Sequence, residues 1–258
     1  MFKGLDISNK VCLVTGGTSG IGRAIALALK DAGAKVFAGS TSEAKVDAIK
    51  KELGEGHDAV QMDVSSEASV KNAVAATVRR FGRIDAMVNA AGVIARKPSL
   101  EVTTEEWERI IRINLTGSFI TARETAAVMK DQQPDAKGQR GSIVFIASLN
   151  SFISLTEVLA YASSKSGVLG LVRGLANEWA PLGIRVNAIA PGVFPTDLNK
   201  PLIEGTERGR WLKAHTPLGR FGDADELAGA AIYLISPSAS YTTGETIVVD
   251  GGFLAKGV

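Results

Sequence analysis

Short apolar runs that offer no polar face are the strongest constraint in this chain. Val11–Thr15 reads Val-Cys-Leu-Val-Thr and Ala86–Asn89 reads Ala-Met-Val-Asn. A strand with one wet face alternates in polarity, whereas one that is apolar throughout must be covered on both sides. Comparable runs at Lys35–Ala38, Ala59–Met62, Ser142–Ile146, Arg185–Ala190 and Thr246–Val249 bring the candidate strands to seven. Longer amphipathic stretches lie between them. Gly22–Ala32 carries Ile25, Leu27, Ala28 and Leu29; Ser66–Phe81 opens on a serine with Ser69 three residues on. Thr104–Leu115 begins Thr-Glu-Glu-Trp, with acids in the first turn where the helix dipole favours them. Strands alternating with helices give parallel strands and right-handed crossovers. The expected fold is therefore α/β, a single domain over residues 1–258, with a doubly wound, seven-stranded parallel sheet and helices on both faces.

Two stretches break the alternation. Lys130–Gly141 is polar, contains Pro134 and Gly138, and reads as a solvated loop. Residues 193–217 follow a Pro-Gly and carry Pro195, Pro201, Gly205 and Gly209. A long irregular segment in a compact domain is commonly a functional lid, the role expected here.

Composition excludes several classes. The 29 basic residues are almost balanced by 27 acidic ones, so no basic face for nucleic acid is expected. Cys12, the one cysteine, lies inside the first apolar run, which excludes a disulfide framework within the chain and suits a reducing compartment. The amino terminus, Met-Phe-Lys-Gly-Leu-Asp, has no apolar signal core, and no apolar stretch reaches the roughly 18 residues of a membrane span. A cytoplasmic location is expected. His57 and His215 are far apart in sequence, so no metal-ligand cluster is visible.

The first candidate strand runs straight into Gly16-Gly17-Thr18-Ser19-Gly20-Ile21-Gly22, and a helix follows. A phosphate needs backbone N–H groups and a helix amino terminus aimed at it, and glycine permits both the turn and the close approach. Strand, tight glycine turn and helix in that order point to a dinucleotide-binding, Rossmann-type fold. The spacing, Thr-Gly-x-x-x-Gly-x-Gly, differs from the commoner Gly-x-Gly-x-x-Gly.

Tyr161 and Lys165 stand four apart, on one face if that segment is helical. A free tyrosine titrates near 10, whereas an acid/base useful at neutrality should titrate near 7. That gap is about 4 kcal/mol at roughly 1.36 kcal/mol per unit. An exposed ion pair supplies only about 0.3–0.5 kcal/mol. Lys165 must therefore work in a desolvated site, helped by the positive charge of an oxidised nicotinamide. Tyr-x-x-x-Lys alone recurs by chance. Ser148, thirteen residues earlier at the end of Ser142–Ile146, adds a hydroxyl able to donate to a carbonyl oxygen as charge develops on it.

With these in hand, the chain resembles the short-chain dehydrogenase/reductase family over essentially its whole length. The matching words are Thr15-Gly16…Gly20-Ile21-Gly22, Asp63-Val64, Asn89-Ala90-Ala91-Gly92, Asn114, Ser148, Tyr161-x-x-x-Lys165, Pro191-Gly192…Thr196 and Val249-Asp250-Gly251-Gly252. The resemblance implies NAD(P)-dependent interconversion of an alcohol and a ketone by hydride transfer. It implies Tyr161 as acid/base, Lys165 lowering its pKa and holding the nicotinamide ribose, Ser148 polarising the carbonyl, and Asn114 anchoring a proton-relay water or distorting its helix. Gly16, Thr18, Ser19, Gly20, Ile21 and Gly22 would cradle the cofactor phosphates. Asp63 and Val64 would flank adenine, and Asn89, Ala90 and Gly92 would line the groove. Pro191, Gly192, Val193 and Thr196 would border the carboxamide. A homotetramer is also implied, with the last strand and the Gly251–Leu254 tail at an interface.

Cofactor choice should be read where the second strand ends. Ser40-Thr41-Ser42 offers neither the Asp that favours NAD nor the Arg that favours NADP. Ser40 and Thr41, with Lys45 nearby, favour NADP(H), leaving NAD(H) open. Within the family the resemblance is to sugar-acid dehydrogenases of the gluconate 5-dehydrogenase and 2-deoxygluconate type, through words such as Ala176-Asn177-Glu178-Trp179-Ala180 and Val186-Asn187-Ala188-Ile189-Ala190. Those relatives tend to carry two arginines after Asn-Ala-Ala-Gly; this chain keeps only Arg96, which would pair with a substrate carboxylate. Asn150, Phe194 and Trp211 are further substrate-facing candidates. The expected substrate is a sugar acid or polyol. The alternatives are a 3-oxoacyl-[acyl-carrier-protein] reductase and a non-catalytic nucleotide-binding protein.

Overall fold

The computed structural model describes residues 3–197 and 199–256, so Leu198, inside the expected lid, lies outside the described residues. Seven strands form one sheet, β1 (Val11–Thr15), β2 (Lys35–Ser40), β3 (Asp58–Gln61), β4 (Ala86–Asn89), β5 (Gly141–Ile146), β6 (Ile184–Pro191) and β7 (Thr246–Val249), in the order β3-β2-β1-β4-β5-β6-β7. Every pairing is parallel. The seven strands of the sequence reading are all present, with boundaries shifted by a residue or two at β2, β3, β5 and β6. Burial explains the apolar runs: every residue of β1, β4 and β6 is buried, whereas the edge strands β3 and β7 are only partly covered.

Side chains alternate between two cores. Leu13, Phe37, Met87, Ile143, Phe145 and Val186 point to the face covered by α3 (Glu67–Phe81), α5 (Gly117–Met129) and α6 (Leu159–Trp179). Cys12, Val14, Val36, Val88, Val144 and Ile189 point to the face covered by α1 (Gly20–Asp31), α2 (Glu43–Leu53) and α9 (Ala228–Ile235). A third, small core joins Leu149, Ile203, Leu212 and Phe253 beneath residues 193–217. That segment is not irregular, as its prolines and glycines suggested. It holds α7 (Lys200–Ile203) and α8 (Glu207–His215), the latter capped by Thr206 Oγ1 accepting from Gly209 N. Pro201 sits in the first turn of α7, where a missing N–H costs nothing.

The expected Thr104–Leu115 helix also divides. α4 (Thr104–Ile111) opens on a capping box between Thr103 and Glu106, then widens into one π-turn, Arg112–Thr116, before continuing as α5. Asn114 lies at the centre of that turn. The strand order reverses between β1 and β4, and in open α/β sheets the crevice at the carboxyl ends beside such a reversal is where ligands bind.

Candidate active site

The crevice is a cavity of about 240 Å³ bounded by the carboxyl ends of β1, β4, β5 and β6. One wall is the glycine turn. Gly16 has φ of +64°, and a Cβ there would come within 2.9 Å of the Ala91 backbone. A Cβ on Gly22 would meet the Gly16 carbonyl oxygen at 2.3 Å. No other residue fits either position, so the turn packs against β4 as tightly as its backbone allows.

The helix behind this turn starts without a side-chain cap. Ser42, Ser66, Thr103 and Thr206 cap α2, α3, α4 and α8 with their own hydroxyls. Ser19, at the same position on α1, makes no such bond, and the first turn of α1 holds no acid. Its leading N–H groups keep their donors for something else. Free donors, a close-packed glycine backbone and an open cleft are the features a dinucleotide phosphate requires, so the residues fit that group.

The opposite wall carries the chemistry. Ser148 follows β5 and caps the turn Leu149–Ser151, its Oγ accepting from Asn150 N at 3.1 Å. Tyr161 and Lys165 project from α6 into the same cavity. Lys165 is only 7% exposed, and its Nζ donates to Ile146 O at 2.6 Å. Burial pushes this ammonium down to about 8. Nζ stands 5.7 Å from the centre of the Tyr161 ring. Burial raises the Tyr161 hydroxyl above its ordinary value, while a hydrogen bond with Ser148 pulls it the other way. The protein alone therefore holds Tyr161 protonated, and lowering it needs a further positive charge in the cleft.

Asn114 acts behind this wall. Its Oδ1 accepts from Val93 N at 2.8 Å, and its Nδ2 donates to Val93 O at 2.9 Å and to Ser164 Oγ at 3.1 Å. Ser164 Oγ in turn donates to Tyr161 O at 2.7 Å. The π-turn thus ties the loop after β4 to the helix bearing Tyr161. Ser164 escaped the sequence reading, although it stands inside Tyr-x-x-x-Lys. Asn199 escaped it too: Oδ1 accepts from Thr196 N at 2.8 Å and Nδ2 donates to Phe194 O at 2.9 Å, fixing the segment that closes the cleft. A Thr-x-x-Asn turn after the Pro-Gly was the available signal.

The remaining candidates divide by position. Ser19, Gly20, Ile21, Ala90, Gly92, Pro191, Gly192, Phe194 and Thr196 line the cavity with the residues above. Asn89 supports it from within, accepting from Thr15 Oγ1 at 3.1 Å, and Thr18 is buried. Ser40 ends β2 and Thr41 follows it, beside Ser42 at the start of α2. Asp63 holds Ser65 through its carboxylate, and Val64 packs on Gly117. Val193 belongs to the small core under the lid.

Three substrate-facing candidates sit off the cavity lining. Asn150 Oδ1 accepts from Leu155 N. Trp211 is 52% exposed and stacks on His215, which packs on Phe253. Arg96 forms an ion pair with Glu157, a residue at φ of +65°. Arg96 was read from the family resemblance and Asn150 and Trp211 from their place in the chain, and each side chain has a local partner that the sequence does not reveal. Phe194 reaches the cavity, but its ring is largely spent against Gly222.

Comparison with known proteins follows the same outline. The family profile described as enoyl-(acyl carrier protein) reductase matches residues 16–254. The 2-dehydro-3-deoxy-D-gluconate 5-dehydrogenase of Pseudoalteromonas atlantica is 38% identical, covering 99% of this chain and 100% of its own. The D-threitol dehydrogenase of Mycolicibacterium smegmatis is 39% identical over 97% of this chain and 95% of its own. The crystal structure of a gluconate 5-dehydrogenase from Burkholderia cenocepacia, in complex with NADP and tartrate, superposes with a TM-score of 0.90 at 34% identity, covering 99% of each chain.

Proposed function

The chain belongs to the short-chain dehydrogenase/reductase family, and from that premise we propose that it interconverts an alcohol and a ketone on a sugar acid or polyol. The observation that carries this reading is the convergence of the α1 amino terminus, Ser148, Tyr161 and Lys165 on one cleft. The relatives named for 2-dehydro-3-deoxy-D-gluconate and D-threitol support the substrate class. A bound nicotinamide dinucleotide supplies or accepts the hydride.

In the reductive direction, Ser148 and Tyr161 donate hydrogen bonds to the substrate carbonyl oxygen, and Tyr161 gives up its proton as that oxygen becomes a hydroxyl. In the oxidative direction the Tyr161 oxygen takes the proton back. Lys165 holds its ammonium against the tyrosine side of the cleft, anchored by Ile146 O. Asn114 keeps Tyr161 and the β4 loop in register through Ser164 and Val93. The glycine turn and the donors of α1 would hold the pyrophosphate, and Ser40 and Thr41 would receive a 2′-phosphate, so NADP(H) is the favoured cofactor. The NADP in the Burkholderia cenocepacia structure supports this choice.

The subunits assemble as a homotetramer in the cytoplasm. The partly exposed edge strand β7 supports the assembly, with Val248 facing outward. Phe253 is buried within its own chain, so that part of the tail is not free for an interface. Among the described residues no helix is long and apolar enough to cross a membrane.

A second reading, a 3-oxoacyl-[acyl-carrier-protein] reductase, draws on a relative of that name from Aquifex aeolicus, 36% identical over 96% of this chain. One panel separates the two. The purified chain is given NADPH or NADH with keto-sugar acids, keto-polyols and an acetoacetyl thioester. Turnover of the sugars or polyols above the thioester is expected; the reverse order refutes the sugar reading. Arg96 would meet a substrate carboxylate by leaving its pair with Glu157; on that reading Arg96→Ala should raise KM about tenfold for carboxylate substrates by removing a charged hydrogen bond. An equal rise for neutral ketones removes its proposed role.

A further inference from the structure

A second cavity lies at the opposite, amino ends of the same strands. It measures about 70 Å³ and is enclosed by the residues leading into β1, β4 and β5, the start of β6, and the turn after α9. On the scale where one water needs about 10–15 Å³, this space takes a few waters or one small polyatomic ion. Its lining is unusual for a structural cavity. Five cations, Lys10, Arg83, Lys137, Arg140 and Arg185, face two carboxylates, Asp85 and Asp135.

Most of that charge is uncompensated. Asp85 is taken by Arg83 at 2.8 Å. Asp135 is engaged by the backbone N–H groups of Lys137 and Gln139. Among the described residues Lys137 Nζ reaches only the Ser240 hydroxyl, and Arg140 bonds only carbonyl oxygens, those of Gln132 and Leu182.

Arg185 is the decisive residue. It is 7% exposed, and among the described residues no carboxylate lies within ion-pairing distance. A guanidinium has five donors, yet Arg185 makes one long hydrogen bond, to Thr242 O at 3.3 Å. Burial pushes it down to about 10, although Tyr233 and Asp135 act the other way from a distance. A buried cation without a partner costs several kcal/mol in general. Beside it Gln139 Oε1 is buried with no hydrogen-bond partner; rotating that amide by half a turn brings its NH2 group to the same atom position.

We propose that this amino-end cavity binds one compact tetrahedral oxyanion of the phosphate class, held by Arg185 and Lys137 with the Gln139 amide. The planar fork of Arg185 suits two oxygens of such an ion. The site is too small for a nucleotide and lies across the sheet from the catalytic cleft.

Inorganic phosphate is the probe. The full chain is first saturated with NADPH, which fills the phosphate-binding turn of the cleft and keeps that site out of the measurement. Melting temperature and equilibrium dialysis are then compared in phosphate and in chloride at equal ionic strength and pH. The expected result is a melting temperature that rises with phosphate, and one phosphate bound per chain. Arg185→Leu should abolish both, and Lys137→Ala should weaken binding about tenfold through loss of a charged contact. A melting temperature no higher in phosphate than in chloride overturns the proposal, as does binding that survives Arg185→Leu unchanged. If Arg185→Leu does not fold, the exposed Lys137→Ala decides alone, and unchanged affinity in that variant counts against the site.

Discussion

The two ends of the sheet solve the problem of buried polar groups in opposite ways. At the carboxyl ends the polar side chains are engaged with one another: Asn114 with Val93 and Ser164, Ser164 with Tyr161 O, Lys165 with Ile146 O. The space there is made by glycines that bring backbone close to backbone. At the amino ends the cavity is made by long charged side chains, and the most buried of them, Arg185, makes a single long hydrogen bond among the described residues. The difference teaches what each end is built to hold. Fixed dipoles and a close backbone suit an extended ligand with a reacting centre. Loosely held cations suit a small charge that supplies the missing partner.

The sharpest test of that contrast is Tyr161→Phe. It removes the proton donor while leaving the ring, so turnover should fall by roughly 10³-fold or more, within the range of general acid–base catalysis. Cofactor binding, followed by fluorescence titration, should stay within about twofold. Turnover near the parent's level shows that another group carries the proton.

Gly22→Ala comes next. The added Cβ must displace the Gly16 carbonyl, which it would approach to 2.3 Å. Dinucleotide affinity should drop by about 100-fold, since misplacing the turn removes several N–H contacts together. An affinity within a few-fold of the parent means that the turn is not the phosphate cradle.

Lys165→Met separates function from stability. The folded lysine, at about 8, lies below its ordinary 10.5. Below pH 8 both folded and unfolded chains are protonated, and the cost of burying the charge is complete. Between 8 and 10.5 the folded chain loses its proton first, and the cost fades. The inactive variant should therefore be more stable than its parent at pH 7, by up to about 3 kcal/mol at roughly 1.36 kcal/mol per unit. That margin should shrink as pH rises through 8 toward 10.5. Urea unfolding at pH 7, 9 and 10 reads it directly, and a margin independent of pH contradicts the assigned burial cost.

Arg83→Ala, at the amino end, should do least. The Arg83 side of its pair with Asp85 is 44% exposed, and Asp85 keeps its bond from Val11 N. The loss should stay under about 1 kcal/mol, with kcat unchanged. A fall in kcat would mean that the two ends are coupled through the strands they share.

Much of the carboxyl end was legible in the sequence because its elements are local. The glycine turn between an apolar run and a helix, and Tyr161 one helical turn from Lys165, are patterns that periodicity and spacing report. The amino-end cavity was not legible. Its residues come from five separate segments, and Lys137 stands in a stretch read only as solvated loop. Residues 193–217, the expected lid, were singled out by their prolines and glycines but read as irregular; the segment is helical in part because Thr206 caps α8 and Pro201 is harmless in the first turn of α7.

By itself the sequence determined the order of strands and helices, the two-sided burial of the sheet, the glycine turn between strand and helix, and the tyrosine–lysine pair proposed for catalysis. These follow from which residues are apolar and how far apart they stand, and backbone geometry converts such spacing into faces and turns. Only the tertiary structure decided which polar groups meet. It joined Asn114 to Val93 and Ser164, turned Lys165 toward Ile146 O, set Arg96 against Glu157, and buried Arg185 with one long hydrogen bond among the described residues. Such pairings link residues distant in sequence, and hydrogen bonds and charges, unlike apolar burial, depend on distance and direction that no periodicity encodes.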